Sequence, residues 1–228
     1  EGIEVIRPMK DGVIADFTVT EVMLKHFIKL AHPTMLFRPS PRIVICVPCG
    51  STQVERRAIR ESALGAGASE VFLIEEPMAA AIGAGLPVTE ACGSMVVDIG
   101  GGTTDLAVFN EGILKHTAVI PFAGENITND IKSGLGVLRT QAEQMKVQFG
   151  SALANEAKTN AYITIPGLRG MPAKEISVKN LANIIQARMS EIMDFVTYHL
   201  KQVGLDNKSL NGGIILTGGG SQLKHLIQ

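Results

Sequence analysis

Apolar residues along the chain follow two rhythms. The first is short and unbroken: Ile43 to Val47 and Val71 to Ile74 are apolar runs, and Ser94 to Asp98 is a third that ends on a carboxylate. Runs of this length predict strands buried on both faces. Between them the spacing turns helical. A helix is expected over Gln53 to Ala66, capped by Ser51 or Thr52, with Val54, Ala58, Ile59 and Ala63 on one face. A helix of small residues is expected around Met78 to Ala84. Thr104 to Phe109 and Ile113 to Val119 flank the polar Asn110-Glu111-Gly112, which predicts a hairpin. Strands alternating with helices argue for an α/β domain.

From Glu125 to about Asp206 the pattern is mostly helical. Val137 to Phe149 is one helix, and a longer one runs from about Val178 to Val203. Its Leu181, Ile184, Ile185, Ile192, Val196, Leu200 and Val203 recur at intervals of three and four, and Gly204 is placed to end it. Pro166 to Pro172, rich in Pro and Gly, reads as the loop between the two. Strand character returns at Gly213 to Thr217. The expected organisation is therefore a helical subdomain inserted into an α/β one. The expected divisions are residues 1–85, 86–124, the insertion 125–207 and the return 208–228.

Composition narrows the function classes. Of 228 residues, 46% are hydrophobic and 19% charged, which supports a sizeable core and excludes a disordered chain. The 21 basic and 22 acidic residues nearly cancel, so no nucleic-acid partner is expected. No apolar stretch reaches the length of a membrane span, and the first residues resemble neither a signal nor a transit peptide. The ends look cut, which suggests a fragment. Cys46-Val47-Pro48-Cys49 has the spacing of a redox site, but incidental thiols at a strand end explain it better. A cytoplasmic setting is expected.

Two segments share a shape. Met95 to Thr104 and Ile214 to Ser221 each run an apolar strand into a glycine triplet followed by a hydroxyl residue. Such triplets let backbone N–H groups converge on an anion, and residues after the second triplet could begin a helix, which also favours phosphate. Taken singly, each triplet reads better as a tight turn, with Asp98 capping the first. Two of them, with Asp98 at the end of the first strand, favour a nucleotide. A carboxylate there needs a partner, and beside phosphates that partner is expected to be Mg²⁺. No Gly-Lys-Ser/Thr follows, so this is not a P-loop.

Asp98-Ile99-Gly100-Gly101-Gly102-Thr103-Thr104-Asp105 resembles the second phosphate motif of the actin/DnaK/sugar-kinase superfamily. Thr217 to Ser221 resembles its adenosine motif, and Glu75 to Ala81 its connecting helix, all in the expected order. Within the superfamily, residues 1 to about 104 resemble the bacterial actin MreB, on the segments Ile6 to Asp16 and Val54 to Glu61. From about Thr104 onward the chain resembles FtsA, on Val119 to Ile131, Ile165 to Gly170 and Glu175 to Leu181. A recombined coding sequence would account for a switch within the shared glycine motif.

The resemblance implies a two-lobed actin-like (ribonuclease H-like) α/β fold holding ATP and Mg²⁺. Gly100, Gly101, Gly102, Thr103 and Thr104 would grip phosphate, and Asp98 would hold the metal through water. Glu76 would position the attacking water, although it also reads as the cap of its helix. Glu143 and Lys146 would contact ribose and adenine, or else form an exposed ion pair. Gly218, Gly219 and Gly220 would underlie the adenosine, and Gly124 would pass near the nucleotide or serve as a plain loop glycine. The superfamily's first phosphate hairpin and its C-terminal end have no counterpart here, so weak ATPase activity is expected.

As an actin-like protein it would self-associate into filaments at the inner face of the cell membrane, through terminal segments that the fragment lacks. It would work with FtsZ or other division and elongation proteins. The rivals on the same scaffold are a sugar kinase, for which no sugar-binding residues are evident, and a DnaK-type chaperone lobe.

Overall fold

The computed structural model describes residues 6, 8–10, 13–14, 16–31, 40–167 and 172–227. Part of the segment Ile6 to Asp16, and residues 168–171 of the expected loop, lie outside them. The chain divides into two compact units, Glu1–Ala80 and Ala81–Gln228.

The first unit opens with a short antiparallel pair, β1 (Met9–Lys10) and β2 (Val13–Ile14), followed by helix α1 (Phe17–Ala31). Strand β3 (Arg42–Val47), helix α2 (Gln53–Gly65) and strand β4 (Glu70–Glu75) then form a right-sized βαβ unit with β3 and β4 parallel. Thr52 starts α2 by a reciprocal exchange. Its hydroxyl accepts from the Glu55 N–H at 3.2 Å, and the Glu55 carboxylate accepts from the Thr52 N–H at 2.7 Å. Ala63, Ala68 and Val71 are buried at the centre of this unit, with Leu24, Ile43, Ile45 and Leu73 against them. Helix α3 (Glu76–Gly83) follows β4 without a loop.

The second unit is built on a four-stranded sheet. Strand β5 (Ser94–Ile99) pairs antiparallel with β6 (Thr104–Asn110), and β6 with β7 (Ile113–Ile120). The β6–β7 turn is as expected, with Glu111 and Gly112 both at positive φ, 55° and 71°. Helices α4 (Gly124–Leu135) and α5 (Arg139–Phe149) follow. The helix expected over Val137 to Phe149 is α5, which starts two residues later: Gly136, at φ +60°, ends α4, and the Gln141 side chain accepts from the Leu138 N–H at 3.0 Å to start α5.

Strands β8 (Tyr162–Ile165) and β9 (Lys174–Ser177) form an antiparallel pair that the helical reading of this region missed. Their alternation is only four residues long, too short to stand out beside the flanking helices. Helix α6 (Val178–Gln202) buries the expected stripe, and Gly204 follows its end at φ +71°. Strand β10 (Gly213–Thr217) returns to lie parallel to β5.

One core joins these layers. Met95, Val97, Ile99, Leu106 and Val108 of the sheet are buried with Ile127 and Ile131 of α4, Ala142 and Met145 of α5, and Leu181, Ile185, Ile192 and Leu200 of α6. Arg188 of α6 grips Asp130 of α4 with two hydrogen bonds, Nε to Oδ2 at 2.6 Å and Nη2 to Oδ1 at 3.0 Å. That planar fork fixes the angle between the helices. Rigid placement of α4 and α5 over the sheet positions the site below.

Candidate functional site

The parallel pairing of β5 and β10 puts Thr217 opposite Asp98, so both glycine triplets leave the same end of the sheet. The two glycine turns therefore come together because their strands are neighbours, although more than a hundred residues separate them.

Packing dictates only some of these glycines. A side chain on Gly218 would strike Asp98 and the Ile99 carbonyl, and one on Gly220 would strike the Ile99 side chain. Gly218 also sits at φ +82°, where L-residues are strained. At Gly100 the Thr103 carbonyl is 3.0 Å from where a Cβ would stand. Gly101, Gly102 and Gly219 are different, because around each there is open space where a Cβ would be. Nothing inside the protein requires these three to be glycine. Their bare backbone leaves room for a molecule outside it.

A cavity of about 780 Å³ lies at this place. Gly100, Gly101 and Gly124 border it on one side, and Gly219 and Gly220 on another. Ile127, Val147 and Leu223 give it an apolar wall, while Glu125, Arg139, Glu143 and Lys146 bring charge to it. The glycine hairpin is locked to α4 by its own carbonyls, since Gly100 O accepts from the Gly124 N–H at 3.1 Å and Gly101 O from the Glu125 N–H at 2.7 Å. Gly124 is thus a close-contact glycine, with Gly100 O 3.1 Å from a Cβ placed there.

On the far wall Lys146 Nζ lies 2.9 Å from Gly124 O, 2.8 Å from Thr128 Oγ1 and 2.8 Å from Glu143 Oε2. The Thr128 hydroxyl is 2.5 Å from the same Glu143 oxygen. Burial raises the Glu143 carboxyl, but the hydrogen bonds and charge of Lys146, with Thr128 and Arg139, outweigh it and leave the group below its ordinary value. Arg139 also pairs with Glu125 at 3.2 Å where α4 and α5 begin.

Asp98 faces Asp105 across β5 and β6. Burial raises the Asp98 carboxyl, and the charge of Asp105 raises it further. Burial likewise raises Asp105, against a hydrogen bond of 2.9 Å from the Thr103 hydroxyl. Two neighbouring carboxylates that resist ionising fit a divalent cation held between them and phosphate oxygens. Among the described residues no cluster of three or more His, Cys, Asp or Glu forms a metal site.

The structure departs from the sequence reading at two points. Thr104 is fully buried and its hydroxyl donates to Phe122 O at 2.7 Å, which ties β6 to the turn before α4 and leaves nothing for phosphate. Residues Gly219–Gln222 make a single 3₁₀ turn rather than the start of a longer helix, so no helix terminus adds to this side. Glu76 stands at the start of α3, in the first unit. Thr128, Arg139, Asp105 and Leu223 were not picked out beforehand. Of these only Thr128 had a readable signal, as a hydroxyl on the buried face of α4 one turn after Gly124.

The family model described as MreB/Mbl protein matches residues 1–228. The cell shape-determining protein MreB of Escherichia coli (strain K12) is 48% identical over 234 residues, covering 98% of this chain and 67% of the relative. The cell shape-determining protein Mbl of Bacillus subtilis (strain 168) is 37% identical over 245 residues, covering 99% of this chain and 71% of the relative. Among solved structures, MreB 5 of Spiroplasma citri bound to AMPPNP matches with a TM-score of 0.81 at 28% identity, over 97% of this chain and 69% of that one. The MamK double helical filament matches with a TM-score of 0.74 at 18% identity, over 96% of this chain and 69% of that one, a likeness of fold alone. The family match runs through the half that resembles FtsA, so one family spans the glycine motif without a switch.

Proposed function

Because the chain belongs to the MreB/Mbl family, we propose that it is an actin-like cytoskeletal protein that binds ATP in the cavity of the second unit and polymerises in cell shape determination. The observation that carries this reading is the set of glycines that packing does not require, Gly101, Gly102 and Gly219, bordering or adjoining one cavity from two turns. The solved relative bound to AMPPNP supports a nucleotide as the occupant.

The hairpin Gly100 to Thr103 grips the phosphates with backbone N–H groups. Glu143, held by Lys146, takes the ribose side, and the Gly219–Gly220 turn underlies the adenosine. Asp98, with Asp105 beside it, would hold Mg²⁺, which would supply charge neutralisation at the phosphates. Self-association into filaments is the behaviour that membership of this cell shape-determining family supports. Filaments of this kind act in the cytoplasm, at the inner face of the membrane, with elongation proteins. FtsZ is the partner that a division role would require.

Sedimentation tests the reading. The protein should pellet with ATP and Mg²⁺ and stay in the supernatant without nucleotide. Consumption of ATP that depends on glucose, with no pelleting, would favour the sugar-kinase reading instead.

A further inference from the structure

The hydrogen-bond count around Lys146 assigns roles within the far wall of the cavity. An ammonium has three donors and no acceptor. Here two of them go inward, to Gly124 O and Thr128 Oγ1, and the ammonium is ion-paired with Glu143 Oε2 at 2.8 Å. Lys146 is thus turned into the wall, and its side chain is only 15% exposed. Glu143 is the reverse. Its side chain is 49% exposed on the cavity wall, and all its protein contacts here go to Oε2. Neither of these contacts uses Oε1.

Thr128 completes the arrangement. It is 1% exposed, and its hydroxyl receives Lys146 while holding a single proton to give. Two acceptors compete for that proton, Gly124 O at 3.0 Å and Glu143 Oε2 at 2.5 Å. The carboxylate is closer and charged, so it takes the proton. Gly124 O is already served by Lys146.

We infer that Thr128 is a positioning residue for nucleotide binding: with Lys146 it pins one oxygen of Glu143, so that the other oxygen is presented to the vicinal hydroxyls of a ribose. The inference rests on the nucleotide reading above. It also gives the sugar side a path to the phosphate side, because Lys146 holds Gly124 O and the Gly124 N–H holds Gly100 O of the glycine hairpin. Glu143 touches the ligand, whereas Thr128 and Lys146 act through it.

The test compares equilibrium binding of ATP and of 2′,3′-dideoxy-ATP, each with Mg²⁺, to the parent protein and to Thr128→Val and Thr128→Ser. A hydrogen bond to a charged group is worth roughly a factor of ten in affinity. The valine variant should therefore lose about tenfold for ATP, keep its affinity for the dideoxy nucleotide, and so lose its preference for the ribonucleotide. Serine restores the hydroxyl and should restore the preference. Thr128→Ala carries the same expectation should the valine variant not fold. Parent protein that binds neither nucleotide overturns the nucleotide reading itself. Parent protein that prefers ATP, with the valine or alanine variant keeping the same preference, overturns the role of Thr128 and leaves that reading standing. A uniform loss for both nucleotides also overturns it, since a merely structural residue would do that.

Discussion

Asp98 on β5 and Asp105 on β6 stand directly opposite each other, and both carboxyls are pushed above the ordinary value for aspartate. Cross-strand partners share a face of the sheet, and like charges there repel. An acid whose folded value is raised lends stability below its unfolded value of 3.8 and loses it as pH rises past the folded one. At neutral pH the pair is therefore a strain on the fold, which the proposed Mg²⁺ would relieve. Asp98→Asn should raise the melting temperature slightly at pH 7.5 in the absence of divalent ions. The same variant should flatten the Mg²⁺ dependence of ATP affinity. Scanning calorimetry with and without Mg²⁺ checks the first and titration the second. A lower melting temperature would show that the Asp98 charge is used within the fold.

The glycines divide into two kinds with opposite expectations. Gly220→Ala places a methyl group against Ile99 and should destabilise by about 1–3 kcal/mol, the usual cost of overpacking. Gly219→Ala meets nothing within 4 Å and should leave unfolding unchanged within about 0.5 kcal/mol while weakening nucleotide binding. Urea unfolding of the two variants, run beside ATP titration, separates them.

Arg188 should be hard to replace. Its fork to Asp130 joins α6 to α4, the helix that holds Gly124 and Thr128. Lysine cannot reproduce the two parallel bonds, and Arg188→Lys should cost about 1–2 kcal/mol. Denaturant midpoints measure it, with little change expected in the slope.

His116 of β7 and His199 of α6 face each other at 3.3 Å between ring nitrogens. Burial lowers His199, and the charge of His116 lowers it further. A base lowered in the folded state gives stability above its unfolded value of 6.5 that is lost as pH falls below it. The melting temperature should fall between pH 7 and pH 5.5, and His199→Gln should make that fall shallower. A parallel decline in both proteins would assign the pH dependence to other groups.

Much of this was readable beforehand because it is written locally. The runs at Ile43 to Val47 and Ser94 to Asp98 both became strands, but only the second is buried on both faces, since Val44 in the first is 65% exposed; Thr52 with Glu55 announces a helix start. The glycine triplets and the Glu143–Lys146 spacing pointed to the cavity for the same reason. What stayed hidden depends on partners distant in sequence. Tyr162 to Ile165 becomes a strand only because Lys174 to Ser177 pairs with it. Thr104 looked like a phosphate ligand until Phe122 O claimed its hydroxyl. Thr128 gains its role from Glu143 and Lys146 on another helix.

The central claim is that the two glycine turns hold one nucleotide. Isothermal titration of Mg·ATP into the protein and into Gly219→Leu tests it most directly, because Gly219 borders the cavity and a Cβ there meets nothing within 4 Å. The account predicts one saturable site in the parent protein and binding at least about tenfold weaker in the variant. Equal affinity in both, or no binding to the parent protein, would contradict it.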